Sequence, residues 1–354
     1  MRIPHARKAL PALLCSAILL TGCTSTGEAE RNSEDASAAS AETQVQEEAD
    51  GAASGNAAAE VPNVDAPDPE LPVTFTGDDE QEITVESLER VLVLDDATIE
   101  VFDALGHVDL VGIAPEDSAY ADLLGDAERI TTSGSGALTV EGVVALQPTL
   151  VIGTNMKRHA DLISGLQDAG VAATLINRSQ DAPEIITKTA SLIGVADAGK
   201  ELAKQVTDTI NAAEEKAGDI PDAEHRRVMV LSSSGAGDSG NTTGAGSDTP
   251  ADQVVTYAGG INTGAESGLD RYQSITAEGL AAAQPEVIIV AESEIEDLGG
   301  EEGIWDYVAG LKGTPAAENK ELIVMPDAQI KTAGVHTGIG VANLQAQLYP
   351  ELGA

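Results

Sequence analysis

The chain of 354 residues has two cysteines, Cys15 and Cys23, and both fall within the first 23 positions. Everything after them is without a disulfide, a thiol nucleophile or a cysteine-based zinc site. Aromatic residues make up only 2 % of the chain, so a core has to be assembled from Val, Leu, Ile and Ala, which the 42 % hydrophobic content allows. Basic residues are scarce: 19 Lys and Arg stand against 59 Asp and Glu, a formal charge of −40. A field of that sign opposes phosphate binding and excludes nucleic acid as a partner. It suits a soluble, self-repelling surface. The five histidines show no His-x-x-His or His-Glu-x-x-His spacing, and no EF-hand pattern occurs. No Gly-x-Ser-x-Gly elbow stands at a strand end, and "GSGALTVEG" lacks the Lys-Ser/Thr end of a phosphate loop. The chain is read as a non-enzyme without an intrinsic metal or cofactor.

What is present begins with an address. Residues 1–23, "MRIPHARKALPALLCSAILLTGC", carry a basic head (Arg2, Arg7, Lys8), an apolar stretch from Ala9 to Leu20 and the ending Leu20-Thr21-Gly22-Cys23. The apolar stretch is too short to span a bilayer. Together these read as a bacterial lipoprotein signal peptide, with Cys23 as the lipid-bearing mature N-terminus. The expectation is a chain tethered to the extracytoplasmic face of the cell membrane. Residues 24–70 are mostly Ala, Glu, Ser and Gly without periodicity, with twelve acids against one base, Arg31. Such a segment buries too little apolar surface to offset its ordering entropy and reads as a disordered acidic tether.

From residue 71 apolar strands alternate with helical stretches. "RVLVLD", "DLVGIA", "TLVIGT" and "VAATLIN" read as strands between helices such as "ATIEVFDALG" and "RHADLISGLQDAG". This is the alternation of a mostly parallel sheet covered by helices, and it defines an N-terminal α/β lobe over 71–181. One long helical stretch follows over 182–218, with Leu202, Val206 and Ile210 on one face. The alternation resumes over 219–354 in a C-terminal α/β lobe whose strands include "VMVLSS", "PEVIIVAE" and "ELIVMP". The expected fold is α/β: two Rossmann-like lobes joined by one long rigid helix, with a ligand cleft between them. An internal echo supports the pairing. "LTVEGVVALQPTLVIGT" in the first lobe matches "ITAEGLAAAQPEVIIVAE" in the second, each with Thr-x-Glu-Gly, an apolar helix, Gln-Pro and a buried strand.

Sheets of this kind bind ligands at the loops after their strand C-termini. The chemically capable side chains in those loops are Tyr120, Met156, Arg158, Arg271, Tyr272 and His336. Phenolate, thioether and imidazole are groups that can ligate a metal, while Arg158 and Arg271 pair with acidic groups. Only His159 and His336 among the histidines sit at strand-to-helix loops.

The lipoprotein signal, the tether and the two lobes come with the stretches "RVLVLDDATIEVFDALG", "AGGIN", "GLKGTPAAENKELIVM" and "LQAQLYPEL" and with the repeated segment above. In this combination the chain resembles the substrate-binding lipoproteins of ABC importers for haem, ferric siderophores and cobalamin. It is most similar to the haemin-binding lipoproteins of Gram-positive bacteria, from about Arg90 to the C-terminus. The resemblance implies a monomer that captures an iron complex, haem or a ferric siderophore, and delivers it to a permease and its ATPase. Cobalamin or another metal chelate, or a sensing or interaction role without transport, are the alternatives. It also implies one docking carboxylate per lobe for arginines of the permease, in motifs that match Glu100 and Glu278. Haem-binding relatives carry a His at the loop of Ser133 and a Tyr-x-Arg at Ser232 and Ser234. Serines stand at these positions here. These three serines are the candidate ligand contacts of an altered haem site.

Overall fold

The structure, a computed structural model, describes residues 60–132, 138–233 and 242–353. In the N-terminal lobe, strands β1 (Val73–Thr76) and β2 (Glu82–Val85) form an antiparallel hairpin. Five strands then make a wholly parallel sheet: β3 (Val91–Val93), β4 (Val111–Pro115), β5 (Glu128–Ile130), β6 (Leu150–Thr154) and β7 (Ala173–Ile176). Their spatial order is β5-β4-β3-β6-β7. Strands β3, β6 and β7 are buried along their whole length, as parallel strands covered on both faces must be. The helices of this lobe are α1 (Asp96–Ala104), α2 (Val140–Ala145) and α3 (Lys157–Asp168). Asp95 caps α1 and Thr139 caps α2, each side chain accepting from a backbone N–H of the first turn.

The single helix expected over 182–218 is two helices, α4 (Ala182–Leu192) and α5 (Ala196–Ala217). Gly194 turns the chain between them at φ +79°, and a Cβ there would lie 2.5 Å from the Glu70 carbonyl oxygen. Only glycine makes that turn. Helix α4 stays with the first lobe, while α5, 22 residues long, crosses to the second. Gly199 lets α5 press against α4; a Cβ on it would meet that of Ala190 at 2.2 Å.

The C-terminal lobe contains β8 (Arg227–Ser232), β9 (Thr243–Ala245), α6 (Pro250–Tyr257), β10 (Ile261–Asn262), α7 (Thr263–Glu266) and β11 (Tyr272–Ser274). It continues with α8 (Ala277–Ala283), β12 (Val287–Ala291), α9 (Gly300–Tyr307), α10 (Pro315–Asn319), β13 (Leu322–Met325), α11 (Asp327–Ile330) and α12 (Thr337–Leu348). The sheet order is β11-β9-β8-β12-β13, with β10 also paired to β8. Strands β8, β12 and β13 run parallel, whereas β9 is antiparallel to both β8 and β11.

Alternation with a period of two decides which core each strand residue joins. Val91 and Val93 of β3, Val228 and Val230 of β8, and Val287 and Ile289 of β12 face one large core. That core also takes in Leu202, Val206 and Ile210 of α5 and Val341, Leu344 and Leu348 of α12. It therefore runs through both lobes. The opposite sheet faces build separate cores, around Leu92, Ile113 and Val151 in the first lobe and Met229, Leu231 and Ile288 in the second.

The tether expected up to residue 70 ends sooner. Val64 N–H donates to the Ala104 carbonyl at 2.8 Å, and Glu70 N–H to that of Gly194 at 3.2 Å. Val64 and Ala66 also pack on the large core, which offsets the cost of ordering this stretch. The signal peptide, Cys23 and the rest of the tether lie outside the described residues. No helix among the described residues is long and apolar enough to cross a membrane.

Candidate ligand cleft

A cavity of about 300 Å³ lies between the lobes. The first lobe lines it with residues 95–97, 154–156 and 178–179, which follow the C-terminal ends of β3, β6 and β7. The second lobe lines it with residues 248–250, 271–272 and 331–333. A larger concavity of about 1040 Å³ belongs to the first lobe alone, around β2 and α3, where no second lobe can close over a ligand. Position at the strand ends, rather than size, singles out the smaller one.

Charges in the cleft are mostly paired. Arg178 binds Asp95 and donates to Thr98 Oγ1 at 2.6 Å, while its Nε and Nη1 are buried without a partner. Asp96 accepts from Ser118 Oγ at 2.6 Å and from Ala119 N at 3.1 Å. Lys331 contacts Glu294 at 2.9 Å and Asp327 at 3.2 Å. Burial works against the charge on Lys331, yet these two carboxylates raise its pKa. Burial likewise opposes ionisation of Asp327, but hydrogen bonds from Ser293 and the nearby Lys331 hold its carboxyl below the usual range. Arg271 reaches across the cleft, Nη1 to Ser179 Oγ at 3.4 Å, and has no ion pair among the described residues. Tyr272 keeps 37 % of its surface open. Its phenol is pushed well above the ordinary range by desolvation and by the Glu294 carboxylate.

Of the expected ligand contacts, Met156, Arg271 and Tyr272 come together in this cavity. Arg158 falls in the first turn of α3, with its side chain outside the described residues. Ser133 and Ser234 lie outside them as well. Three expectations need correction. Ser232 is buried at the end of β8 and donates to Glu294 Oε1 at 3.0 Å, so its hydroxyl serves a buried carboxylate instead of a ligand. Tyr120 and His336 line a separate cavity of about 250 Å³ instead, where both turn to Glu100. Tyr120 Oη donates to it at 2.8 Å, and His336 Nδ1 lies 3.2 Å from its other oxygen. Burial and the Glu100 charge push the Tyr120 phenol far up.

Glu100 itself is the third correction. It was expected on the surface for docking, but its side chain is 1 % exposed. It bridges the lobes, taking Tyr120 from the first and His336 and Thr332 from the second. Glu278 is exposed in the first turn of α8, as expected. His159 is buried, with Nδ1 accepting from Thr154 N at 3.1 Å, and holds the start of α3 against β6.

Sequence reasoning missed two residues. Arg178 comes two residues after the buried strand β7, and a base in that place was the available signal. Glu141 was overlooked although the internal echo aligns it with Glu278. The echo is geometric as well. Thr139 Oγ1 accepts from Gly142 N at 3.1 Å, and Thr276 Oγ1 from Gly279 N at 3.0 Å. Gln147 and Gln284, each just before a proline, share positive φ of 55° and 46°. Glu141 and Glu278 are exposed at equivalent places in α2 and α8.

Comparisons with known proteins bear on the family and the fold. A family profile described as periplasmic binding protein matches residues 91–329. The ABC transporter substrate-binding lipoprotein YvrC of Bacillus subtilis (strain 168), itself uncharacterised, is 23 % identical over 289 residues, 79 % of this chain and 87 % of YvrC. The crystal structure of the haem-binding protein HmuT superposes with a TM-score of 0.69 at 25 % identity, covering 82 % of this chain and 94 % of that one. The periplasmic haem-binding protein RhuT from Roseiflexus sp. RS-1, in its apo form, gives 0.64 at 27 % identity, covering 74 % and 98 %.

Proposed function

The chain belongs to the periplasmic binding protein family and is the substrate-binding component of an ABC importer, and from that premise we propose that it captures an iron chelate, haem or a ferric siderophore, in the cleft between its lobes. The observation that carries this reading is the cavity at the strand ends of both lobes, lined by Met156, Arg271 and Tyr272. Its likeness to haem-binding proteins supports the choice of an iron complex. Cys23 carries the lipid that holds the monomer at the extracytoplasmic face. Titrating the purified protein with haemin, ferric siderophores and cobalamin, followed by calorimetry and absorbance, tests the ligand class. Binding of cobalamin alone, or of none of them, removes the iron reading.

Delivery needs a docking surface. Glu141 and Glu278 supply one exposed carboxylate per lobe at matched positions, a geometry suited to basic sockets on a permease. The burial of Glu100 supports Glu141 instead as the first lobe's docking carboxylate. In vesicles holding the permease and its ATPase, Glu141→Lys with Glu278→Lys should abolish ligand-dependent ATP hydrolysis while ligand affinity stays at the native value. Unchanged ATPase stimulation in the double variant sinks the docking assignment.

A further inference from the structure

The large concavity of the first lobe, about 1040 Å³, lies at the other end of the sheet from the cleft. Pro148 and Thr149, just before β6, and residues 170–172, just before β7, help to line it. The cleft takes its residues from the far ends of the same two strands. Helix α3 forms one wall of the concavity with positions 160, 164, 167 and 168, which share one helix face. Strand β2 forms another with Glu82, Ile83 and Thr84. The walls are tied where the chain enters β2 and again after it leaves. Gln167 Nε2 donates to Asp79 Oδ2 at 2.8 Å ahead of the strand. Beyond it Arg90 N donates to Thr149 Oγ1 at 3.0 Å, and Thr149 N to Arg90 O at 2.9 Å. The trough is therefore a fixed part of the folded lobe.

Its backbone and its charge both lack a counterpart. Among the described residues β2 pairs only with β1, so its outer edge carries N–H and C=O groups that no strand takes up. That edge opens on the trough. Alternate side chains of a strand point to opposite faces, and three consecutive residues line one cavity only where the strand turns its edge to it. Glu82, Glu86 and Asp168 are exposed in the same wall with no ion pair among the described residues, and no Lys, Arg or His lines the trough. Val171 and Ala172 add half-buried apolar surface. A second copy of a chain with net charge −40 does not answer these carboxylates. Nor does the chain's own segment 24–59, whose one base is Arg31.

We propose that the trough is a docking site for an extended segment of another polypeptide, rich in Lys or Arg, which joins β2 as a third strand of the hairpin sheet. Main-chain hydrogen bonds to the open edge of β2 hold the segment. Its basic side chains reach Glu82, Glu86 and Asp168 through charge-assisted hydrogen bonds and so choose the partner. Occupation of the trough leaves the cleft open, because the two lie at opposite ends of the sheet. The partner therefore binds whether or not a ligand is held.

The full chain in detergent is titrated with a fluorescent peptide of about eight residues, alternating Lys and Thr, and binding is followed by anisotropy at about 0.15 M salt. A counterpart of the same charge, N-methylated at every backbone nitrogen, has no main-chain donors and should bind about tenfold more weakly or worse. Spermine at matched charge should not displace the first peptide. Glu82→Gln with Glu86→Gln should weaken that peptide by about tenfold. Glu201→Gln with Glu215→Gln removes the same charge from exposed positions of α5 and should leave its affinity unchanged. Hydrogen exchange of the native chain should slow in β2 when the peptide is bound. Equal binding of the methylated peptide, displacement by spermine, or an equal loss in the α5 variant reduces the effect to net charge and overturns the proposal. Absence of binding, or exchange in β2 that the peptide does not slow, overturns it as well.

Discussion

The two lobes repeat each other in one region and part company in another. Strands β3, β6 and β7 correspond to β8, β12 and β13, in the same order and all parallel. The Thr-capped helices α2 and α8 correspond down to their carboxylates and to the left-handed glutamines that end them. Beyond this shared half the first sheet continues with parallel β4 and β5, the second with antiparallel β9 and β11. Asp248, Arg271 and Tyr272 all belong to that antiparallel addition or its adjoining loops. The repeated part offers the same surface twice, which fits a partner built of two like halves. The unrepeated part supplies Asp248, Arg271 and Tyr272 to the cleft.

Glu100 and Glu278 separate most sharply under mutation. Glu100→Ala should lower the unfolding free energy by about 3 kcal/mol in urea titration, because it leaves Tyr120, Thr332 and His336 without their shared acceptor. Glu278→Ala, on an exposed first turn, should leave the midpoint where it is. Next in size is Gly246→Ala, which drives a Cβ into the Leu269 carbonyl in the unrepeated region. It should cost about 2 kcal/mol and displace Arg271, lowering both Tm and ligand affinity. The repeated region is probed by its caps: Thr139→Ala and Thr276→Ala should cost about 1 kcal/mol each, and nearly equally, in the same titration.

The smallest effect is a pH dependence confined to the second lobe. Asp327 has a depressed pKa in the folded protein, so its contribution is present above the unfolded carboxylate pKa of about 4. It is lost as pH falls through the lower folded value. Scanning Tm from neutral to acidic pH should show less acid destabilisation in Asp327→Asn than in the native chain.

Much of this architecture was legible in the sequence, for a physical reason. Buried parallel strands have to be runs of Val, Ile and Leu, and βα alternation admits few topologies. The echo even exposed the lobes' common half. Less visible were features set by one atom's surroundings. Gly194 lies inside a helical pattern, and only its contact with Glu70 reveals the break. Glu100 sits in a helix whose positions 97 to 102 are all buried, so an acid there had to be an interior group. Which side chains face the cavity depends on pairings such as Ser232 with Glu294 that no local pattern encodes.

The large core that threads α5 and α12 and reaches strands of both lobes has a consequence for how the protein comes apart. Opening one lobe exposes apolar surface that the other was covering, so neither retains its stability alone. Heating should therefore give one calorimetric transition, with calorimetric and van't Hoff enthalpies equal, where two lobes on a string would melt in turn.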